Sequence, residues 1–173
     1  MKKTTLMGIA FLVSQESKCV SWKVGSVIAK DNRIISTGFN GTPTGHENCC
    51  TMARKKQWTA VKDGKEILLS QHREAHSVWS SHNEIHAEIN AILFAAKNGI
   101  AIDGATMYVT VSPCRECCKA IAQSGIKKLV YSVGYDKDTS LNILKESGIE
   151  VEQIKMESVP HINNIETRLI GDL

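Results

Sequence analysis

Apolar positions along the chain change period several times, and each change marks an element. Leu6, Ile9, Ala10 and Val13 recur at helical spacing and predict a helix over residues 4–15. The runs 24–29 and 33–38 flank Lys30-Asp31-Asn32 and predict an antiparallel hairpin. Phe39-Asn40-Gly41-Thr42-Pro43-Thr44-Gly45 then breaks all regularity, and a loop of this kind beside a strand end is a common place for ligand contacts. The pattern is weakest over residues 48–82, where a short helix at 51–62, a turn at 62–65 and otherwise irregular chain are expected. That makes an insertion at about 50–82, lying on the surface, the default reading.

A buried helix is expected over 83–98, with Ile85, Ile89, Ile92, Leu93 and Ala96 on its core face and Gly99 as its stop. His86 and Glu88 then fall in its first turn, where backbone N–H groups lack intrahelical partners. A strand at 106–111, a helix at 115–124, a strand at 127–132, a helix at 138–147 and a strand at 149–154 complete the chain. Strand, helix, strand, helix, strand implies parallel crossovers. The sum is α/β: residues 1–173 as a single domain built on one five-stranded mixed sheet, with helices on both faces.

Three residues have the chemistry of zinc ligands: His86, Cys114 and Cys117. A Cys-x-x-Cys pair straddling a helix start can aim two thiolates at one ion, and three protein ligands leave a fourth position for water. Glu88 lies two residues from His86, a spacing that does not stack side chains on one helix face. It is therefore read as a carboxylate beside the metal that takes a proton from water, not as a fourth ligand. His-x-Glu followed by Pro-Cys-x-x-Cys is the signature of zinc-dependent nucleobase deaminases. Taken alone, Cys-x-x-Cys also fits a redox pair or half a zinc ribbon.

Composition narrows the field. The net charge of +3 and the 5% aromatic content give neither the basic surface nor the stacking platforms expected for polymeric nucleic acid. Six cysteines without a secretory leader favour the reducing cytoplasm, with thiols serving as ligands and not as disulfides. No apolar run approaches the roughly 20 residues that cross a bilayer, so no membrane partner is expected.

The words Ser14-Gln15-Glu16-Ser17-Lys18-Cys19, Ser36-Thr37-Gly38-Phe39-Asn40-Gly41, Asn83-Glu84-Ile85-His86-Ala87-Glu88, Ser112-Pro113-Cys114-Arg115-Glu116-Cys117 and Ile126-Lys127-Lys128-Leu129-Val130-Tyr131 span the chain. Through them it resembles the deoxycytidylate (dCMP) deaminases encoded by tailed phages, within the cytidine deaminase superfamily. The resemblance implies a three-layer α/β/α cytidine deaminase-like fold and deamination of dCMP to dUMP and ammonia, which supplies thymidylate synthesis. It implies that the Ala87 N–H and groups near Ser112 and Pro113 hold the ring edge, that Asn40 meets the sugar and that Tyr135 meets the substrate.

It also implies a second, structural zinc on Cys19, Cys49, His76 and Glu84; among the residues present, Cys50 is the alternative to Cys49, and His46, His72 and His82 are further substitutes. Family members of this type are hexamers, activated by dCTP and inhibited by dTTP with Mg2+ on the triphosphate, and Asn40, Gly41, Thr42 and Gly45 are the matching effector positions. From the residues alone, Lys23, His82, Tyr131 and Tyr135 are available for a phosphate. The sequence departs from the family pattern at Phe39, where tyrosine is common, and at Arg115, where proline is common.

Two other functions share parts of the pattern. A tRNA adenosine deaminase uses the same two motifs but calls for a more basic surface. A zinc-stapled interaction module would leave Glu88 as an ordinary helix-start charge. Assay of free dCMP against tRNA separates the first, and chelator-sensitive ammonia release separates the second.

Overall fold

The computed structural model describes residues 1–134, 139–155 and 157. In chain order its elements are α1 (Lys3–Ser14), β1 (Gly25–Lys30), β2 (Arg33–Phe39), α2 (Cys49–Lys55), β3 (Thr59–Lys62), β4 (Lys65–Leu68), α3 (Arg73–Asn83), α4 (Ala87–Lys97), β5 (Thr106–Val111), α5 (Arg115–Gln123), β6 (Lys128–Val133), α6 (Ser140–Glu146) and β7 (Glu150–Gln153). The large sheet has the order β2-β1-β5-β6-β7. β1 pairs antiparallel with both β2 and β5, while β5, β6 and β7 run parallel. This is the mixed five-stranded sheet read from the pattern.

Period-two alternation splits the sheet into two apolar faces. Val27, Ala29, Tyr108 and Val130 turn towards α1, where Leu6, Met7, Ala10 and Phe11 cover them. Ile28, Met107, Val109 and Leu129 turn the other way, beneath Ala91 of α4, Ile121 of α5 and Leu144 of α6. The result is three layers, helix on sheet on helix.

The central helix differs from its prediction in two respects. It begins at Ala87, with His86 as N-cap; Asn83 closes α3, and Glu84 is extended at φ −101°, ψ 140°. Ile85 in this link is tied to Gly41 by two backbone hydrogen bonds of 2.8 and 3.1 Å. Its fully buried residues are Ala87, Glu88, Ala91 and Ala95; Ile92 packs on the core as expected, whereas Leu93 and Ala96 of the expected face are exposed. The cause is a close approach. A Cβ on Gly38 of β2 would sit 2.4 Å from both the Ala87 carbonyl and the Ala91 nitrogen, so the helix backbone lies against the strand there and leaves room for nothing larger than glycine at position 38.

The insertion is more ordered than expected. In place of a helix over 51–62 the chain forms the shorter α2, ends it near Gln57 at φ 57°, and turns into a separate β3–β4 hairpin. Asp63 and Gly64, both at positive φ, make its two-residue turn. α3, read as irregular chain, is a helix of 11 residues. Cys19, Val20, Cys49, Met52 and Ala53 form a small third core, on which Trp58, Leu68 and Trp79 of the insertion pack.

Candidate active site and metal clusters

Two helix starts converge at the end of the sheet. His86 is the N-cap of α4, Cys114 is the N-cap of α5, and Cys117 lies in the first turn of α5. His86 Nδ1 is 3.4 Å from the sulfur of Cys114 and 3.4 Å from that of Cys117. Zinc bonds of about 2.3 Å to sulfur and about 2.05 Å to nitrogen, at tetrahedral angles, would place such atoms roughly 3.6 Å apart. The three donors thus fit a zinc ion in both kind and spacing.

The protonation of the cluster follows from its contacts. Hydrogen bonding from Cys117 and then from His86 outweighs burial and draws the Cys114 thiol down to about 3, a thiolate. The bond to Cys114 lifts the His86 imidazole to about 9 against the opposing effect of burial, with the charges of Glu88, Cys114 and Glu84 adding to the rise. Cys117, hydrogen-bonded to Cys114 and buried, is pushed far up. Glu88, one residue into α4, is 4% exposed. Burial raises its carboxyl, while backbone hydrogen bonding and the His86 charge pull the other way, and the Cys117 side chain lies within its hydrogen-bonding reach.

A second cluster gathers Cys19, Cys49, His76 and Glu84, whose ligand atoms all lie within 4.8 Å of one another. His76 Nε2 is 3.1 Å from the Cys49 sulfur and 3.7 Å from that of Cys19, and the two sulfurs are 3.9 Å apart. Tetrahedral zinc would set two sulfurs roughly 3.8 Å apart. Ser80 donates to Glu84 Oε2 at 2.5 Å, whereas Glu84 Oε1 is buried and has no hydrogen-bond partner. A buried carboxylate oxygen without a donor is costly unless a cation takes it, so this set also fits the ion. Hydrogen bonding to Cys49 and burial raise the Cys19 thiol; burial lowers the His76 imidazole, but the Cys19 bond and the charges of Cys19 and Glu84 lift it on balance.

Both clusters open on one cavity of about 410 Å3, within the range of roughly 300–1,000 Å3 usual for ligand sites. Of the sequence candidates it is lined by Cys19, Asn40, His76, Glu84, His86, Ala87, Glu88, Ser112 and Cys114. Asn40 is held rigidly there: its Oδ1 accepts from the Val24 N–H at 2.8 Å and its Nδ2 donates to the Trp22 carbonyl at 2.9 Å. Ala87 begins α4, so its N–H has no intrahelical acceptor.

Other candidates are placed elsewhere. Tyr131, on the same face of β6 as Leu129, packs into the core beneath α4 and α5. Lys23 and Pro113 do not line the cavity, and His82 folds onto the Val78 carbonyl at 2.7 Å. Gly41 is bridged to Ile85, Thr42 has a buried hydroxyl without a partner, and Gly45 makes an exposed turn at φ 87°. Tyr135 lies outside the described residues.

Sequence reasoning missed Arg73, Ser77, Ser80 and Ser81 of α3, which all line the cavity. Arg73, His76, Ser77, Ser80 and Glu84 follow one another at helical spacing, a polar stripe that a search for apolar faces passes over.

Paired cysteines and a histidine at two helix starts, a buried glutamate between them and an α/β/α sandwich define a zinc-dependent nucleobase deaminase. Residues 1–133 match the family described as cytidine and deoxycytidylate deaminase zinc-binding region, and the chain belongs to that family. Its relatives include phage deoxycytidylate deaminases. That of Enterobacteria phage T4 is 53% identical, covering 94% of this chain and 95% of the relative; that of Enterobacteria phage T2 is 56% identical, over 87% and 91%. The crystal structure of dCMP deaminase from cyanophage S-TIM5 in complex with dCMP and dUMP is similar at a TM-score of 0.65, with 36% identity, covering 86% of this chain and 93% of that one.

Proposed function

We propose that this deaminase converts dCMP and water to dUMP and ammonia, supplying dUMP for thymidylate synthesis. The observation that carries the reading is Glu88, buried in the cavity wall beside the His86, Cys114 and Cys117 donors, in a chain 53% identical to a deoxycytidylate deaminase. A zinc ion held by those three residues supplies the Lewis acidity that makes water a nucleophile at neutral pH. Glu88 accepts the proton of the water whose oxygen adds to ring C4 and delivers it to N3. It then takes the remaining proton from the hydroxyl added at C4 and passes it to the amine, so that the C4 carbonyl forms as the C4–N bond breaks and ammonia departs. Burial favours this role, because it raises the carboxyl towards the pH at which proton transfer in both directions is efficient. The Ala87 N–H and Ser112 hold the ring edge, and Asn40, fixed by two hydrogen bonds, meets the sugar.

The same reading assigns Cys19, Cys49, His76 and Glu84 to a second, structural zinc, supported by their donor set and by the unpartnered Glu84 oxygen. It extends to a homohexamer activated by dCTP and inhibited by dTTP with Mg2+. Support for a regulatory loop at Asn40, Gly41, Thr42 and Gly45 comes from the two Gly41–Ile85 hydrogen bonds, which join the loop to the residue before His86. The test is a panel of dCMP, deoxycytidine, CMP and tRNA, each with and without dCTP and dTTP. Ammonia release from dCMP, abolished by Glu88→Gln with zinc retained, is the expected result. No turnover of dCMP, or full turnover in the variant, refutes the reaction; hyperbolic kinetics indifferent to both triphosphates refute the regulation.

A further inference from the structure

Three consecutive residues at the end of β2 are tied to three different segments around the cavity. Phe39, the last residue of this edge strand, accepts through its carbonyl from Asn90 Nδ2 of α4 at 2.8 Å. Asn40 is fastened to the chain before β1: besides the two side-chain bonds to Val24 and Trp22, its N–H donates to the Val24 carbonyl at 3.2 Å. Gly41 exchanges two bonds with Ile85. We propose that Asn90 is a positioning residue, which acts through the 39–41 strip to hold Asn40 at the distance from Glu88 and the His86, Cys114 and Cys117 donors that a bound nucleotide must span. The inference rests on the deaminase reading above and adds a group outside the cavity that fixes how the site receives its substrate.

Asn90 is an unfavourable choice for the place it occupies. It is the fourth residue of α4, and asparagine is a poorer helix former than the alanines and leucine of the same helix, because its amide competes for backbone groups. It does not line the cavity and belongs to neither donor cluster. Its side chain is committed elsewhere: only the nitrogen end of the amide can face a carbonyl, so the contact with Phe39 is a donation. Its backbone N–H donates to the His86 carbonyl at 2.9 Å. One residue thus grips both the main chain of a metal-cluster residue and the carbonyl next to Asn40.

The arrangement is a clamp. Ile85 stands just before His86-Ala87-Glu88 and Asn90 just after, and both bind the same strip, at Gly41 and at Phe39. The Gly41–Ile85 bonds are main chain to main chain; the Asn90 bond is the one that a side chain supplies. Without it, the strip and the 22–24 segment fastened to Asn40 can move together about Gly41. Glu88 stays in its helix and His86 stays with its two cysteines. The loss therefore falls on holding the sugar end of the substrate and not on proton transfer.

The experiment compares wild type, Asn90→Ala, Asn90→Asp, Asn40→Ala and the Asn40→Ala, Asn90→Ala double variant, all zinc-loaded, in kcat and KM for dCMP and in dUMP affinity by calorimetry. Thermal unfolding and zinc content check the fold. Ser36→Ala is the control, because the Ser36 hydroxyl donates to the Ala91 carbonyl at 2.6 Å, a second side-chain bond between β2 and α4 that lies away from the strip. Asn90→Ala is expected to keep the wild-type Tm, alanine being the better helix former, yet to raise KM and weaken dUMP binding about 3- to 10-fold with kcat within about twofold. Asn90→Asp, which keeps the size and loses the donor, does the same and decides the matter if the alanine variant does not fold. Ser36→Ala lowers Tm and leaves KM within about twofold. In the Asn40→Ala background, Asn90→Ala changes KM by less than about twofold. Wild-type KM and dUMP affinity in the Asn90 variants, a loss confined to kcat, the same rise in KM from Ser36→Ala, the full further loss in the Asn40→Ala background, or failure of both Asn90 variants to fold overturns the proposal. If wild type does not deaminate dCMP, the reaction assigned above fails separately, and calorimetry still decides this point: dUMP affinity unchanged by the Asn90 substitutions, or undetectable in wild type, overturns it.

Discussion

Gly38→Ala puts the position of the catalytic helix to the test. The added Cβ would lie 2.4 Å from the Ala87 oxygen and from the Ala91 nitrogen, and 3.0 Å from the Ala91 Cα, all backbone atoms that no side-chain rotation can move. Ordinary contact begins near 3.4 Å, so the N-terminal half of α4 must lift from β2 by about 1 Å. Overpacking of this kind costs about 1–3 kcal/mol, offset by the 0.5–1 kcal/mol that alanine gains over glycine in a strand. A net loss of about 1 kcal/mol lowers Tm by roughly 2–4 °C in a chain of this size. The displaced segment carries Glu88 and follows His86, and a shift of about 1 Å in a reacting group costs on the order of 100-fold in rate. Gly25→Ala is the matched control, because its Cβ would strike the Ala10 oxygen at 2.1 Å on α1, across the sheet from α4. The assay is circular-dichroism melting with dCMP turnover per folded, zinc-loaded molecule. Gly38→Ala should lose both stability and kcat, and Gly25→Ala mainly stability. Wild-type kcat in a destabilised Gly38→Ala protein would show that the ligands, and not the sheet, locate the start of α4.

Further expectations follow from other contacts. Glu88→Gln lowers kcat by about 10²- to 10⁴-fold, with zinc content unchanged by atomic absorption. Metal analysis gives about two zinc ions per chain for wild type and about one for His76→Ala, whose Tm falls by about 4–8 °C or more; a second ion retained without His76 refutes the four-donor assignment. Lys128 bridges Glu150 at 2.5 Å and Glu152 at 2.6 Å, and Lys3 reaches Glu152 at 2.7 Å. Lys128 and then Lys3 hold the Glu152 carboxyl below its usual range. Its stabilising contribution is therefore full above about pH 4.3, the unfolded value, and is lost as the pH falls through the depressed folded value. Lys128→Met should cost about 0.5–1 kcal/mol in urea unfolding at pH 7 and markedly less at pH 3, the magnitude being held down by solvent.

The legible parts of the fold were those where neighbouring residues decide structure together. The β1–β2 turn at Asp31-Asn32, the alternating strand faces and the His-x-Glu and Cys-x-x-Cys words each carry their own local reason. The inward face of α4 was misread at Leu93 because its burial is set by a glycine about 50 residues earlier: without knowing that Gly38 lies beneath, Leu93 outweighs Ala87 and Ala91 in any hydrophobic count. α3 was missed for the opposite reason. Its inward side carries arginine, histidine, serine and glutamate, because it faces a cavity and a donor cluster in place of an apolar core. The β3–β4 hairpin had a readable signal in Asp63-Gly64 between two short runs, although its strands are only 4 residues each.

Glu84 and His86 stand on either side of Ile85, one in each donor cluster, and Ile85 is itself pinned to Gly41. If both clusters hold zinc as proposed above, loss of either ion frees one end of the Glu84–His86 link that presents a ligand to the other, so chelation acts on the two clusters together. Only replacement of a single ligand, with the remaining ion counted, apportions the damage between them.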